Sequence, residues 1–264
     1  MRFEDKVIVI TGAGSGIGRA TACRFASEGA DIAIPDLNED GAQETAALVR
    51  ELGRRARVTK TDVADSAAVR ECLAGTIEEF GHIDVVVNNA GINIRGEVHT
   101  VSDEDWHRVM DVNLHGVWYF CRYVLDHFFE RGGGSIVNIA SVGAVEASHD
   151  RIPYMASKGA VSSLTRALAI DLAEKNIRVN AVAPGMTASN LATPQIKKDL
   201  DIWTKVLTPM RRWAKSEEIA AAVAFLSSDD ASYITGHVMT VDGGMTAGNR
   251  VGRSLPTADQ PEVW

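Results

Sequence analysis

Cysteine is scarce: Cys23, Cys72 and Cys121 are the three in 264 residues. An odd count with no CxxC pair and no Cys/His spacing argues against a disulfide framework and a zinc site, so no metal is expected. The thiols read as small apolar packers. Basic residues are not in excess. Lys and Arg number 27 against 35 Asp and Glu, a net charge of −8. That balance gives no footprint for nucleic acid or an anionic membrane surface. No apolar run approaches the roughly 18 residues of a membrane helix. The opening MRFEDKVIVI turns acidic within five residues, unlike a secretory signal. Internal repeats, low-complexity tracts and Pro/Gly/Ser linkers are missing too. These absences lead us to expect a soluble, cytoplasmic chain that binds neither nucleic acid nor membrane.

What is present is a regular alternation. Short β-branched runs lie at Lys6–Thr11, Asp31–Asp36, Arg57–Thr61, Asp84–Asn88, Ser135–Ala140, Arg178–Ala183 and His237–Val241. Several are apolar on both faces, as in parallel strands covered by helices on two sides. Pro35 weakens only the last residue of the second run. Helical patterns fill the gaps at Gly16–Glu28, Asn38–Leu52, Ala64–Phe80, Asp103–Glu130, Pro153–Lys175 and Ser216–Ser227. Ser216 is placed to cap the last helix, with Glu217 and Glu218 in its first turn. Repeated βαβ units predict an α/β fold: a Rossmann-like, doubly wound, parallel seven-stranded sheet with helices on both faces. Length alone allows a second domain. The alternation instead assigns residues 1–248 to one dinucleotide-binding and catalytic domain and 249–264 to a C-terminal extension.

The first chemical signal is Thr11-Gly12-Ala13-Gly14-Ser15-Gly16-Ile17-Gly18, a glycine-rich turn between the first strand and the first helix. GxGxxG does not match; TGxxxGxG does. Glycines let the backbone approach a pyrophosphate, and the helix N-terminus supplies N–H donors. Asp36 ends the second strand, eighteen residues after Gly18. A carboxylate there accepts from the adenosine ribose hydroxyls and repels a 2′-phosphate. Ser15 supplies no guanidinium for such a phosphate. Both positions favour NAD over NADP. Asp62-Val63 and Asn88-Asn89-Ala90-Gly91 close the third and fourth strands, where an open α/β sheet binds its ligands.

Thr11–Gly18, Asn88–Gly91, Asn113, Ser141, Tyr154-Met155-Ala156-Ser157-Lys158 and Pro184-Gly185, in that order, resemble the short-chain dehydrogenase/reductase family over residues 1 to about 248. The resemblance implies a tetrad of Asn113, Ser141, Tyr154 and Lys158 and an NAD-dependent oxidoreductase that interconverts a secondary alcohol and a ketone. Tyr154 would be the general acid/base. A free tyrosine has a pKa of about 10, and lowering it by about three units requires about 4 kcal/mol of preference for the phenolate. Lys158, one turn along the same helix, would supply that shift together with the nicotinamide charge, and would hold the nicotinamide ribose. Ser141 would donate to the substrate oxygen, and Asn113 would hold a water that relays the proton. Each also has an ordinary reading: an i,i+4 pair, a loop cap, a buried helix amide.

The resemblance extends to the cofactor contacts Gly12, Ser15, Gly16, Ile17, Gly18, Asp36, Leu37, Asp62, Val63, Asn89, Ala90, Gly91, Tyr154, Lys158, Pro184, Gly185, Thr187 and Ser189. It places substrate selection in Ile92–Gly96, Val142–Pro153 and a lid from Met186 to about Trp213. Arg95 and Arg151 there are candidates for a substrate anion, or else a surface arginine and an ion pair of Arg151 with Asp150 or Glu146. Two alternatives stand beside the main reading: an NADP-dependent 3-ketoacyl carrier-protein-type reductase, and a non-catalytic NAD-binding relative. A homo-oligomer, dimer or tetramer, is implied through the two long helices and the last strand. The stripe Val161, Leu164, Leu168 and Leu172 faces either the core or a partner. The ending NRVGRSLPTADQPEVW is either an inert end or a cover for a neighbour's cleft through Leu255 or Trp264.

Overall fold

The computed structural model describes residues 1–188 and 204–248. The strands β1 (Val7–Ile10), β2 (Asp31–Asp36), β3 (Ala56–Lys60), β4 (Val85–Asn88), β5 (Gly134–Ile139), β6 (Ile177–Pro184) and β7 (Val238–Val241) form one seven-stranded sheet. Its order is β3-β2-β1-β4-β5-β6-β7, with every pairing parallel. All seven expected strands are there, displaced by a residue or so at their ends.

Alternation along each strand sends side chains into two cores. Val7, Val9, Val86, Ile136 and Val179 pack on one face, with Leu73, Phe120, Phe128 and Leu168. Ile8, Ile10, Val85, Val87 and Val182 pack on the other, with Phe25, Val49, Ile219 and Val223. Burying one such side chain is worth about 1.5–3 kcal/mol, and a one-residue slip exchanges the two sets, so the register is strongly fixed. The helices α1 (Gly16–Ser27) and α2 (Glu39–Glu51) cover the second face; α3 (Ser66–Phe80) covers the first. Cys72 and Cys121 are buried packers in the first core, and Cys23 is half-buried.

The expected helix Asp103–Glu130 is not continuous. It divides into α4 (Asp103–Met110), a π-turn over Asp111–His115, α5 (Gly116–Tyr123) and α6 (Leu125–Arg131). An uninterrupted apolar pattern does not reveal one extra residue in a turn. The helix α7 (Ile152–Leu172) continues into a 3₁₀ turn at Ala173–Lys175. Its stripe faces the sheet: Val161, Leu168 and Leu172 are in the core and Leu164 packs against it. The last helix, α8 (Ser216–Ser227), begins as expected, but Ser216 does not cap it. Lys215 is the N-cap; its N–H donates to Glu218 Oε2 at 2.8 Å, while Ser216 Oγ donates to the Ala188 carbonyl. The Glu218 carboxylate, held also by Arg212 at 2.7 Å, closes the first turn back onto Lys215, one residue before the serine. Among the described residues no helix is long and apolar enough to cross a membrane.

The chain winds from β1 out to β2 and β3, then returns to β4 on the other side of β1. The carboxyl ends of β1 and β4 therefore part at a switch point, where a crevice opens.

Candidate active site

The crevice is a cleft of about 770 Å³. Gly12, Ser15, Gly16, Ile17, Asp36, Leu37, Asp62, Val63, Asn89, Ala90 and Gly91, all expected contacts, line it. Its floor is a set of backbone approaches. Gly12 has φ +65°, and a β-carbon there would lie 2.9 Å from Ala90 Cα. Gly18 is not among the residues that line the cleft. It lies beneath the turn, where a β-carbon would strike the Gly12 carbonyl and come within 2.6 Å of Asn89 Nδ2. Its role is to let α1 start this close to the loop. Ser15, the N-cap of α1, accepts no side-chain cap bond, so the first N–H groups of the helix remain open to an anion.

Thr11 ties the two loops together, a role the sequence reading missed. Its Oγ1 accepts from the N–H of both Asn89 and Ala90 at 2.9 Å, and Asn89 Nδ2 donates back to the Thr11 and Gly12 carbonyls. Thr11→Val keeps the shape and orphans two N–H groups. We expect a loss of roughly 2–4 kcal/mol in stability and weaker dinucleotide binding, measured by denaturant titration and calorimetry.

Asp36 is held open-handed. Oδ2 accepts from Gly14 N at 2.7 Å and Oδ1 from Asn38 N at 2.9 Å, which leaves each oxygen a lone pair facing the cleft. The nearby cations are engaged. Arg19 donates to the Gly14 carbonyl and to Glu44, and Lys60 pairs with Glu39 at 3.2 Å. The opposite wall, also missed, is one face of α4 and the π-turn: Glu104, His107, Arg108 and Asp111. Their i, i+3, i+4, i+7 spacing was the available signal.

Beyond Gly91 the cleft meets the tetrad. A β-carbon on Gly91 would lie 3.3 Å from Asn113 Oδ1 and 3.6 Å from Lys158 Nζ. Ser141 follows β5, and its Oγ accepts from Gly143 N at 3.0 Å. Its hydroxyl also acts on the Tyr154 phenol, favouring the ionised form. Ser141 is therefore both loop cap and tyrosine partner. Lys158 is buried in α7; its Nζ lies 5.8 Å from the Tyr154 ring centroid and donates to the Ile139 carbonyl at 2.7 Å.

In the nucleotide-free chain burial pushes the Tyr154 phenol above its usual value; Ser141 and the Arg151 charge oppose the rise. Burial lowers Lys158 to about 8. The Asn113 side chain joins two elements. Its Oδ1 accepts from Ile92 N, and its Nδ2 donates to the Ile92 carbonyl and Ser157 Oγ. Both amide hydrogens are spent, so the side chain clasps the β4 loop to α7.

Pro184 and Gly185 end β6 beside β7, where Gly185 N donates to the Val241 carbonyl. Thr187 Oγ1 donates to the Gly185 carbonyl, and Thr187 bridges to Ala214. These three sit at the carboxyl end of the sheet but do not line the cleft. Ser189, much of the expected lid, and the extension 249–264 lie outside the described residues. Arg151 has no ion pair with Asp150 or Glu146.

Comparison with known proteins agrees. The family described as "Enoyl-(Acyl carrier protein) reductase" matches residues 12–246. The meso-2,3-butanediol dehydrogenase of Serratia marcescens is 39% identical, over 94% of this chain and 97% of its own length. The 3-oxoacyl-[acyl-carrier-protein] reductase of Thermotoga maritima is 37% identical, over 93% of this chain and 99% of its own. The crystal structure of a short-chain type dehydrogenase/reductase from Mycobacterium marinum superposes with a TM-score of 0.89 at 32% identity, covering 93% of this chain and 97% of that one. The strand-end glycine turn, the Ser141–Tyr154–Lys158 grouping and these relatives together mean that the chain belongs to the short-chain dehydrogenase/reductase family of oxidoreductases.

Proposed function

We propose that the chain is an NAD-dependent dehydrogenase that interconverts a secondary alcohol and a ketone, with Tyr154 as general acid/base. The observation that carries this reading is the Tyr154 ring with Lys158 Nζ 5.8 Å from its centroid, its phenol under the influence of the Ser141 hydroxyl. The cleft suits an adenine dinucleotide: open N–H groups at α1 for the pyrophosphate, Asp36 for the ribose diol, Asp62 and Val63 for the adenine, Asn89–Gly91 for the second ribose. When bound, the nicotinamide takes or gives the hydride. Tyr154 takes the hydroxyl proton during oxidation and returns it during reduction. Ser141 donates to the substrate oxygen, and Lys158 holds the nicotinamide ribose. Asn113 positions α7 against the β4 loop. Pro184, Gly185, Thr187 and Ser189 are assigned to the carboxamide side.

The choice of NAD rests on the free lone pairs of Asp36 and the hydroxyl at Ser15. The carrier-protein reductase relative favours a second reading, an NADP-dependent ketoacyl reductase. Turnover with each nucleotide separates the two. In the double variant Asp36→Ala/Ser15→Arg we expect the ratio of kcat/KM for NADP over NAD to rise by about 100-fold or more, since a like-charge clash is replaced by a partner. A screen of alcohols followed by NADH absorbance tests the activity; NAD binding without turnover of any alcohol or ketone would favour the non-catalytic relative instead. We also assign the chain to the cytoplasm as a homo-oligomer. Exposed Trp118 on α5 and Ile170 on α7 support the assembly, which the mass in solution tests.

A further inference from the structure

Two arginines stand together at the substrate end without an acceptor. Gly96 bridges in parallel to Arg151, and Gly96 N donates to the Asp150 carbonyl at 3.2 Å. This seam brings the backbone of Arg95 and Gly96 alongside Asp150 and Arg151. Arg151 is itself the N-cap of α7, three residues before Tyr154. Asp150 enters the seam with φ +59°, a conformation an aspartate adopts at some cost. The backbone is thus bent to present Arg151 next to the catalytic tyrosine.

Neither guanidinium has a hydrogen bond or ion pair among the described residues. The acids close in sequence do not answer them. Glu97 lies 3.5 Å from His99, and Asp150 and Glu146 are exposed and form no ion pair. Some arginines elsewhere in the chain are answered. Arg55 meets Asp31 at 2.7 Å, and Arg178, half-buried like Arg151, donates to the carbonyls of Leu226, Ser228 and Ile234. Arg151 is half-buried and Arg95 is exposed; burial, together with the charge of Arg95, pushes the Arg151 pKa down, so the two cations repel at the edge of solvent. A fold does not hold like charges this way without return; an anion between them converts the repulsion into a site.

We infer that Arg95 and Arg151 receive a carboxylate carried by the substrate, so that the enzyme acts on hydroxy acids and their oxo counterparts, with the carboxylate remote from the reacting carbon. This rests on the dehydrogenase reading for Tyr154. A guanidinium fork matches the two oxygens of a carboxylate, and binding that end fixes the carbinol against Tyr154.

The test compares cyclohexanol with 3- and 4-hydroxycyclohexanecarboxylate and with the methyl esters of those acids, NAD saturating. We expect kcat/KM for an acid to exceed that for its ester by about 10–100-fold, the worth of charge-assisted hydrogen bonds. In Arg151→Gln and in Arg95→Gln that ratio should collapse toward one. Arg95 lies outside any helix, so its variant guards against damage to α7. Cyclohexanecarboxylate, which has no hydroxyl, should inhibit competitively, and more weakly as salt rises. An acid/ester ratio near one in the unmodified enzyme, or a ratio unmoved in both variants, overturns the inference and leaves the dehydrogenase reading intact. Saturable binding of cyclohexanecarboxylate that both variants abolish, with no hydride transfer to any substrate, upholds the anion site and overturns the dehydrogenase reading instead.

Discussion

Tyr154→Phe should cost about 10²–10⁴ in kcat, the usual worth of a positioned acid/base, with dinucleotide affinity nearly unchanged. Tyr154 is not among the residues that line the cleft. The pH dependence gives the second half of the expectation. Burial raises the phenol pKa in the free chain, so the tyrosine is protonated at neutral pH and stands ready as an acid. Ketone reduction should therefore hold level through neutrality and fall at high pH. Alcohol oxidation, which needs the phenolate, should rise with pH over the same range. Rate profiles measured in both directions, for the parent and for Ser141→Ala, check this. Loss of the Ser141 hydroxyl should move the oxidation limb to higher pH, because that hydroxyl favours the phenolate. A Tyr154→Phe enzyme that keeps a tenth of its activity would place the proton transfer elsewhere.

Lys158→Met should abolish turnover and yet stabilise the nucleotide-free protein. Burial lowers the Lys158 pKa from 10.5 to about 8. By linkage that difference corresponds to a penalty of about 3 kcal/mol, offset by about 1 kcal/mol for the bond from Nζ to the Ile139 carbonyl that the variant loses. The sign follows from the protons. Between pH 8 and pH 10.5 the unfolded lysine holds its proton and the folded one does not, so stability rises with pH through that window. Below pH 8 the whole penalty applies; above 10.5 none of it does. Denaturant melts at pH 7 and pH 10, without nucleotide, should show the variant more stable at the first and the gap nearly closed at the second. A variant less stable at pH 7 would show that the ammonium is well solvated where it lies.

Most of the sheet was legible because its strands are buried on both faces and punctuated by polar ends, a pattern that needs no knowledge of neighbours. The glycine turn and Asp36 were legible for the same reason: position at a strand end is local information. Thr11 was not, since its two acceptor bonds join loops 78 and 79 residues apart. Nor was the commitment of the Asn113 amide, which depends on Ile92 and Ser157 arriving at one place. Nor was the burial of Tyr154, which raises its pKa in the nucleotide-free chain. Arg151 was visible as a cation, but the lack of any partner for it is a property of three dimensions.

The π-turn at Asp111–His115 makes the site sensitive to chain length in an unusual way. Removing one residue there would restore a regular α-helix, a repair by every local measure. Each residue of an α-helix turns the next by about 100°, so the repair would rotate one part of the segment against the other. Asn113 would leave Ile92, or Trp118 and Phe120 would trade inside for outside. The irregularity is thus a phase adjustment, one that lets a single helical segment satisfy the catalytic loop at one end and the hydrophobic core at the other.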